Sequence, residues 1–163
     1  MSNLLASAVL GVDPGTQGAA SVLNASGDPV FIGPFRPDMT ESELVHVAEL
    51  AATALRREKG NVCYFEKTGY MKGDGGRGAY TFGLVNGLVR GALLAMKVEV
   101  RLVPPMLWQS RLQALSGGSK AVTRLRAQQI FPSAFPRGMF KYQADNIADS
   151  LLLAKYGHMM ESL

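Results

Sequence analysis

Ala6-Ser7-Ala8-Val9-Leu10-Gly11-Val12, then Asp13-Pro14-Gly15-Thr16-Gln17-Gly18, then Ala19-Ala20-Ser21-Val22-Leu23-Asn24: the fold is decided in this stretch. The apolar run over 6–12 reads as a buried strand, the next six residues as a turn, and 19–24 as a second strand. Ser26-Gly27-Asp28-Pro29 supplies another turn before a third strand at 30–33, so the chain opens with a three-stranded antiparallel meander. Thr40 with Glu43 three residues on forms a capping box, and Leu44, Val47, Ala48, Ala51, Ala54 and Leu55 repeat at helical spacing. An amphipathic helix is therefore expected over about 41–58.

The pattern then changes period. Residues 62–66 (Val-Cys-Tyr-Phe-Glu) read as a fourth strand, 67–78 as a glycine-rich loop, 80–96 as a second helix and 99–103 as a fifth strand. Pro104-Pro105 stops that strand, and Pro105 is suited to open a short helix reaching about 113. Residues 116–119 (Ser-Gly-Gly-Ser) break it, 120–131 form a further helix ended by Pro132, and 143 to about 156 form the last. The order βββαβαβ with helices to follow gives an α/β fold. Its sheet is mixed and five-stranded, with β4 and β5 added to the antiparallel β1–β3 meander through helical crossovers. Neither a repeat nor a low-complexity linker interrupts the 163 residues, which are read as a single domain, 1–163.

Composition narrows the function. Hydrophobic residues make up 47% and charged residues 18%, so a full core is available and each charge is worth locating. Residues 1–60 hold 7 acids and 4 bases, whereas 61–163 hold 6 acids and 13 bases. Between positions 100 and 144 stand Arg101, Arg111, Lys120, Arg124, Arg126, Arg137 and Lys141 with no acid among them. Such a one-signed stretch is either a surface facing a polyanion or a solvated face. One cysteine, Cys63, excludes an intrachain disulfide framework and a cysteine-rich zinc site. His46 and His158 are isolated, which disfavours a histidine base or a histidine-rich metal site. No apolar run approaches the roughly 18 residues of a membrane helix, and no basic segment precedes the first apolar run. A cytoplasmic, unsecreted protein is expected.

Four acids occupy positions where acids are costly. Asp13 ends the first strand, Glu66 ends the fourth, and Asp145 and Asp149 lie one turn apart on one face of the last helix. If the first and fourth strands are neighbours, Asp13 and Glu66 meet at one edge, and the last helix packed across it adds the aspartates. Converging carboxylates need a cation, and an all-oxygen donor set suits Mg²⁺ or Mn²⁺. Two such ions, about 4 Å apart, can activate water and stabilise the leaving oxygen of a phosphodiester. Each acid also has an ordinary reading: Asp13 as a turn cap, Glu66 paired with Lys67 or an arginine, Asp145 as a helix cap. Together, on a basic chain, they favour the metal site.

Gly11-Val12-Asp13-Pro14-Gly15, Phe65-Glu66-Lys67 and Ala144-Asp145-Asn146-Ile147-Ala148-Asp149-Ser150-Leu151 resemble the RuvC family of Holliday junction resolvases, its phage-type and related bacterial members above all. The resemblance spans about residues 10–154. Tyr80-Thr81-Phe82-Gly83, Val103-Pro104-Pro105 with Trp108, and Phe131-Pro132 match its landmarks in order. It implies an RNase H-like fold and a homodimer that cuts two strands of a four-way DNA junction with Mg²⁺ or Mn²⁺, two per site. The products would carry 5′-phosphate and 3′-hydroxyl ends, in a bacterial cell or a phage-infected host.

Carried over by position, Asp13, Glu66, Asp145 and Asp149 are the metal ligands, and Lys120 resembles the family's active-site lysine. The last two aspartates are four apart, where RuvC itself spaces them by three. Which of them binds metal directly therefore stays open. Lys120 and Arg124, four apart on one helix, are expected to face the scissile phosphate. Arg137 and Lys141, in the loop before the aspartates, are candidate phosphate contacts, as are Lys72 and Arg77 of the glycine-rich loop. Tyr80 or Phe82 resembles the aromatic that family members place near the junction centre. The homodimer that the resemblance implies could use the second helix, with Gly83, Gly87 and Gly91, for a close two-fold contact, although a monomer core would read the same way.

Rival motifs are weaker. Gly73-Asp74-Gly75-Gly76-Arg77-Gly78 matches G-x-G-x-x-G but begins several residues past its strand, and Glu99 starts the next strand instead of ending it. The turn at 13–18 also resembles the phosphate loop of actin and sugar-kinase ATPases, which need a second such subdomain and far more chain. A catalytically silent module that binds branched DNA is the remaining alternative.

Overall fold

The computed structural model describes residues 7–69, 75–115 and 117–163. Five strands, β1 (Val9–Asp13), β2 (Ala19–Leu23), β3 (Pro29–Pro34), β4 (Val62–Glu66) and β5 (Glu99–Val103), form one sheet in the order β3-β2-β1-β4-β5. β1 runs antiparallel to β2 and parallel to β4, and β4 is parallel to β5. Helices α1 (Glu41–Arg57) and α2 (Gly76–Ala95) make the two crossovers. α3 (Pro105–Arg111), α4 (Lys120–Ile130) and α5 (Lys141–Met160) follow. This is the mixed α/β architecture expected from the sequence.

The capping box forms: Thr40 Oγ1 accepts from the Glu43 amide at 3.2 Å, and Glu43 Oε2 accepts from the Thr40 amide at 2.7 Å. A cap of this kind is worth about 1 kcal/mol. α2 begins at Gly76, four residues earlier than its apolar repeat, so Arg77 and Gly78 belong to a helix and not to the loop. Glycine's low helix propensity concealed that turn. α5 likewise starts at Lys141 and extends to Met160, beyond both expected ends, which takes Lys141 out of the preceding loop.

Strand alternation decides what each side chain meets. Leu10, Val12, Ala20, Val22, Cys63 and Phe65 pack with α1 and α2 on one face. Val9 and Tyr64 pack with α5 on the other, as do Ala19 and Leu23. By the same alternation, Asp13 and Glu66 project on the α5 face. α5 is buried almost all round from Ile147 to Ala154, and Ser150 Oγ meets Ser21 Oγ at 2.7 Å beneath it.

Two close approaches seat the helix on the sheet. A Cβ at Gly11 would lie 2.3 Å from both Ser150 O and Ala154 N, and one at Gly157 would lie 2.4 Å from the Tyr64 ring. Strand and helix touch backbone to backbone at the first point, and a ring lies on bare backbone at the second. No helix among the described residues is long and apolar enough to cross a membrane.

Candidate active site

The register pairs Val12 with Phe65, so the next residues, Asp13 and Glu66, end their strands side by side. Packing of α5 across β1 brings Asp149 beside them. Both aspartates are nearly inaccessible, Asp13 at 8% and Asp149 at 6% exposure. Asp13 Oδ1 accepts from the Gly15 amide at 3.1 Å, so it does cap its turn, but the rest of its surroundings are charged. Glu66 Oε2 accepts from Trp108 Nε1 at 2.9 Å. Asp149 Oδ2 accepts from Lys120 Nζ at 2.8 Å, while Oδ1 is buried with no hydrogen-bond partner among the described residues. Asp145, one turn earlier on α5, is ion-paired with Arg124 of α4. A cleft of about 430 Å³ is bordered by Asp13, Glu66, Asp145, Lys120 and Phe82.

Burial and mutual repulsion set the charge state. Burial first, then the neighbouring Asp149 charge, push the Asp13 carboxyl up to about 6 against the pull of Lys120 and the Gly15 amide. Burial followed by the Asp13 and Asp149 charges pushes Glu66 up to about 7, opposed by Trp108 and Lys120. Burial would lower the Lys120 ammonium, but the charge and hydrogen bond of Asp149 outweigh it and hold it above the ordinary lysine value. Asp13, Glu66 and Lys120 thus each feel the Asp149 charge.

Among the described residues, no three Asp, Glu, His or Cys side chains are arranged to hold a metal ion. The reason is visible in their partners, since Lys120 and Arg124 occupy two of the acids and Trp108 a third. The donor chemistry nevertheless fits a hard cation. All the oxygens are carboxylate, the acids outnumber the bases, two carboxyls are driven up by burial and then by neighbouring carboxylate charge, and Asp149 Oδ1 is left without a partner among the described residues.

The sequence-predicted residues divide accordingly. Asp13, Glu66, Asp145, Asp149, Lys120 and Arg124 come together, but the two bases lie on the aspartates instead of standing open to a phosphate. Phe82 borders the cleft and, with Arg77 and Thr16, an adjoining hollow of about 520 Å³; Tyr80, 71% exposed, borders neither. Arg137 and Lys141 are exposed at the entry to α5, and Lys72 lies outside the described residues.

The basic stretch is narrower as a surface than as a count. Arg101 is paired with Glu99 and Glu161, and Arg126 donates to the Leu112 carbonyl at 2.7 Å. Two site features escaped the sequence. Trp108 fixes Glu66 from 42 positions away, and only the rigid Pro104-Pro105 before it hinted at a placed ring. Asn146, in the amide orientation that satisfies its surroundings, donates to Gln17 O at 3.0 Å and Tyr142 O at 2.9 Å, tying α5 to the 13–18 turn.

No protein-family model matches the sequence, and no curated protein matches it. Solved structures do match. RuvC of Thermus thermophilus in complex with a Holliday junction substrate superposes with a TM-score of 0.64 at 20% identity, over 94% of this chain and 96% of that one. A second T. thermophilus RuvC structure gives 0.60 at 22% identity over the same shares. The yeast mitochondrial Holliday junction resolvase Ydc2 gives 0.59 at 16% identity, over 96% of this chain and 79% of that one. These solved structures, two of RuvC and one of a Holliday junction resolvase, share the fold of this chain, the RNase H-like fold expected from the sequence.

Proposed function

We propose that this chain is a metal-dependent endonuclease that resolves four-way DNA junctions. One observation carries the reading: a buried, undercompensated carboxylate set stands at the shared end of β1 and β4 under α5, on a fold whose solved examples include resolvases. Asp13, Glu66 and Asp149 would hold the ions, with Asp145 added once Arg124 releases it. Divalent Mg²⁺ or Mn²⁺, when bound, supplies charge compensation for the phosphate and for the attacking water.

The chain's own residues do the rest. Trp108 keeps Glu66 turned toward Asp13, and α5 keeps both aspartates at fixed depth beside the strand ends. Lys120 and Arg124, which pair with Asp149 and Asp145, would serve the phosphate once released from them, where fixed positive charge favours the pentavalent transition state. Water adds to phosphorus and the bond to the 3′ oxygen breaks, leaving 5′-phosphate and 3′-hydroxyl ends. A homodimer, with α2 at the two-fold contact, would place two such sites on one junction.

The competing reading, a silent module that binds branched DNA, draws on the ion pairs that hold Asp145 and Asp149. Incubating a synthetic four-way junction and a linear duplex with Mg²⁺ or Mn²⁺ separates the two. We expect paired nicks in the junction alone, lost in Asp13→Asn and Glu66→Gln. Binding with no cleavage at any metal concentration selects the silent module; cleavage unchanged in both variants removes these acids from the site.

A further inference from the structure

Phe140 and Tyr142 are 65% and 62% exposed, yet their rings stack on one another, 5.9 Å between centroids and 13° from parallel. A solvent-facing pair of stacked rings gives up the apolar burial that large side chains ordinarily secure. Exposed Lys141 lies between them in sequence and exposed Arg137 just before, so cations alternate with rings at the entry to α5.

Tyr142 also has a place in two cavities. It borders the carboxylate cleft, and it borders a groove of about 590 Å³ on its other side. Ile32, Met139 and Ile147 give that groove apolar walls, Gln143 brings an amide to it beside Asn146, whose nitrogen is engaged with Gln17 O and Tyr142 O, and Arg36, which also pairs with Asp38, adds a cation. Apolar walls with amide hydrogen-bonding groups suit a flat π-face whose rim carries donors and acceptors, which is the chemistry of a nucleobase.

We propose, resting on the nuclease reading, that Tyr142, backed by the stacked Phe140 ring, and the groove that Tyr142 borders hold an unpaired base of the strand whose phosphate lies over Asp13 and Glu66. Continuity with the cleft through Tyr142 and Asn146 and the interleaved cations favour a nucleic acid strand over a second copy of the chain. The site lies at the entry to α5, whereas the aromatics singled out from the sequence, Tyr80 and Phe82, lie on α2.

Junctions carrying 2-aminopurine at successive positions around the cut test this, with Asp13→Asn as the parent protein so that the strands stay intact. We expect one position to change its fluorescence on binding. Combining Phe140→Leu with Tyr142→Leu should abolish that change and weaken junction binding roughly tenfold, in line with the stacking lost. Tyr142→Phe, which keeps the ring, should retain both. Thermal melting checks that the exposed substitutions leave the fold intact, and Phe140→Leu alone serves if the pair does not.

Equal affinity and equal fluorescence in the double variant overturn the inference while leaving the nuclease reading standing. Loss of self-association in the double variant, with the fluorescence change kept, assigns the rings to a second copy and overturns it as well. A parent that binds no branched DNA overturns both readings.

Discussion

The two ends of α5 carry charge clusters built on opposite plans. At its C-terminal end, Glu161 accepts from Tyr64 Oη at 2.6 Å and pairs with Arg101, whose Nε also bonds Glu99 at 2.8 Å. Arg101 further lies over the Tyr64 ring at 5.7 Å. Its guanidinium is held above the ordinary value, first by the Glu99 hydrogen bond, and burial first of all pushes the Tyr64 hydroxyl up to about 12. Two acids share one base there, but Arg101 and Glu99 keep contact with water and hydrogen bonds link all three charges.

The N-terminal half of α5 faces four acids served by two bases, with Asp13 and Asp149 out of water and one carboxylate oxygen unpartnered. A cluster that only held the fold together would look like the first. The second opposes folding, and carboxylates held out of water with an oxygen unpartnered are intelligible as a place kept for a cation.

The sharpest way to break this contrast is to treat both ends alike. Asp149→Asn should lower junction cleavage by at least roughly a hundredfold, whereas Glu161→Gln should leave the rate unchanged. Comparable losses in single-turnover assays would erase the distinction. Next in size is Trp108→Phe, which keeps a ring but removes the donor to Glu66. Cleavage or metal affinity should fall by about tenfold to a hundredfold, read as the Mg²⁺ or Mn²⁺ concentration giving half-maximal rate.

Stability should show the contrast in reverse. Asp13 and Glu66 have folded-state values above their ordinary ones, so the stabilisation from binding their protons is complete below about pH 4. It is lost as pH rises through about 6 and about 7. Without divalent metal, melting temperature should therefore decline between about pH 4 and 7 and level off above. Asp13→Asn should be more stable than the parent at pH 8, by up to about 3 kcal/mol, and converge with it near pH 4. A parent whose metal-free stability rises over that range would contradict the buried-charge account. Smallest of all, Glu161→Gln should cost about 1 kcal/mol or less in urea melts, and less still in high salt.

The acids at the strand ends were legible because an ionisable residue closing an apolar run is costly and local, as Asp13 and Glu66 both are. The aspartates of α5 were legible because four residues is one helical turn. What joined them was not. The antiparallel meander and the crossovers made β1 and β4 plausible neighbours, but their pairing rests on contacts far apart in the chain.

Side-chain orientation was harder still. Spacing put Lys120 and Arg124 on one face of α4, yet nothing local says that each ends on an aspartate of α5. Trp108 was readable only as a landmark, because it lies on α3 and its partner Glu66 ends a strand 42 positions earlier. Phe140 and Tyr142 drew no notice, since aromatics near a helix start ordinarily enter a core. The early start of α2 was hidden by Gly76 and Gly78, whose propensities argue against the turn they occupy.

The seating of α5 on Gly11 has a consequence for tolerance. Leu, Val and Ile side chains can change rotamer and repack, so volume-conserving exchanges among them are tolerated. At Gly11 no such side chain intervenes, and Ser150 and Ala154 rest on the strand itself. The depth of Asp149 relative to Asp13 is thereby gauged from a hard stop two residues from Asp13 along its strand and one to five residues from Asp149 along its helix. Much of the surrounding core can be exchanged without detuning the carboxylates. A single methyl group at position 11 would lift the whole helix and detune them all.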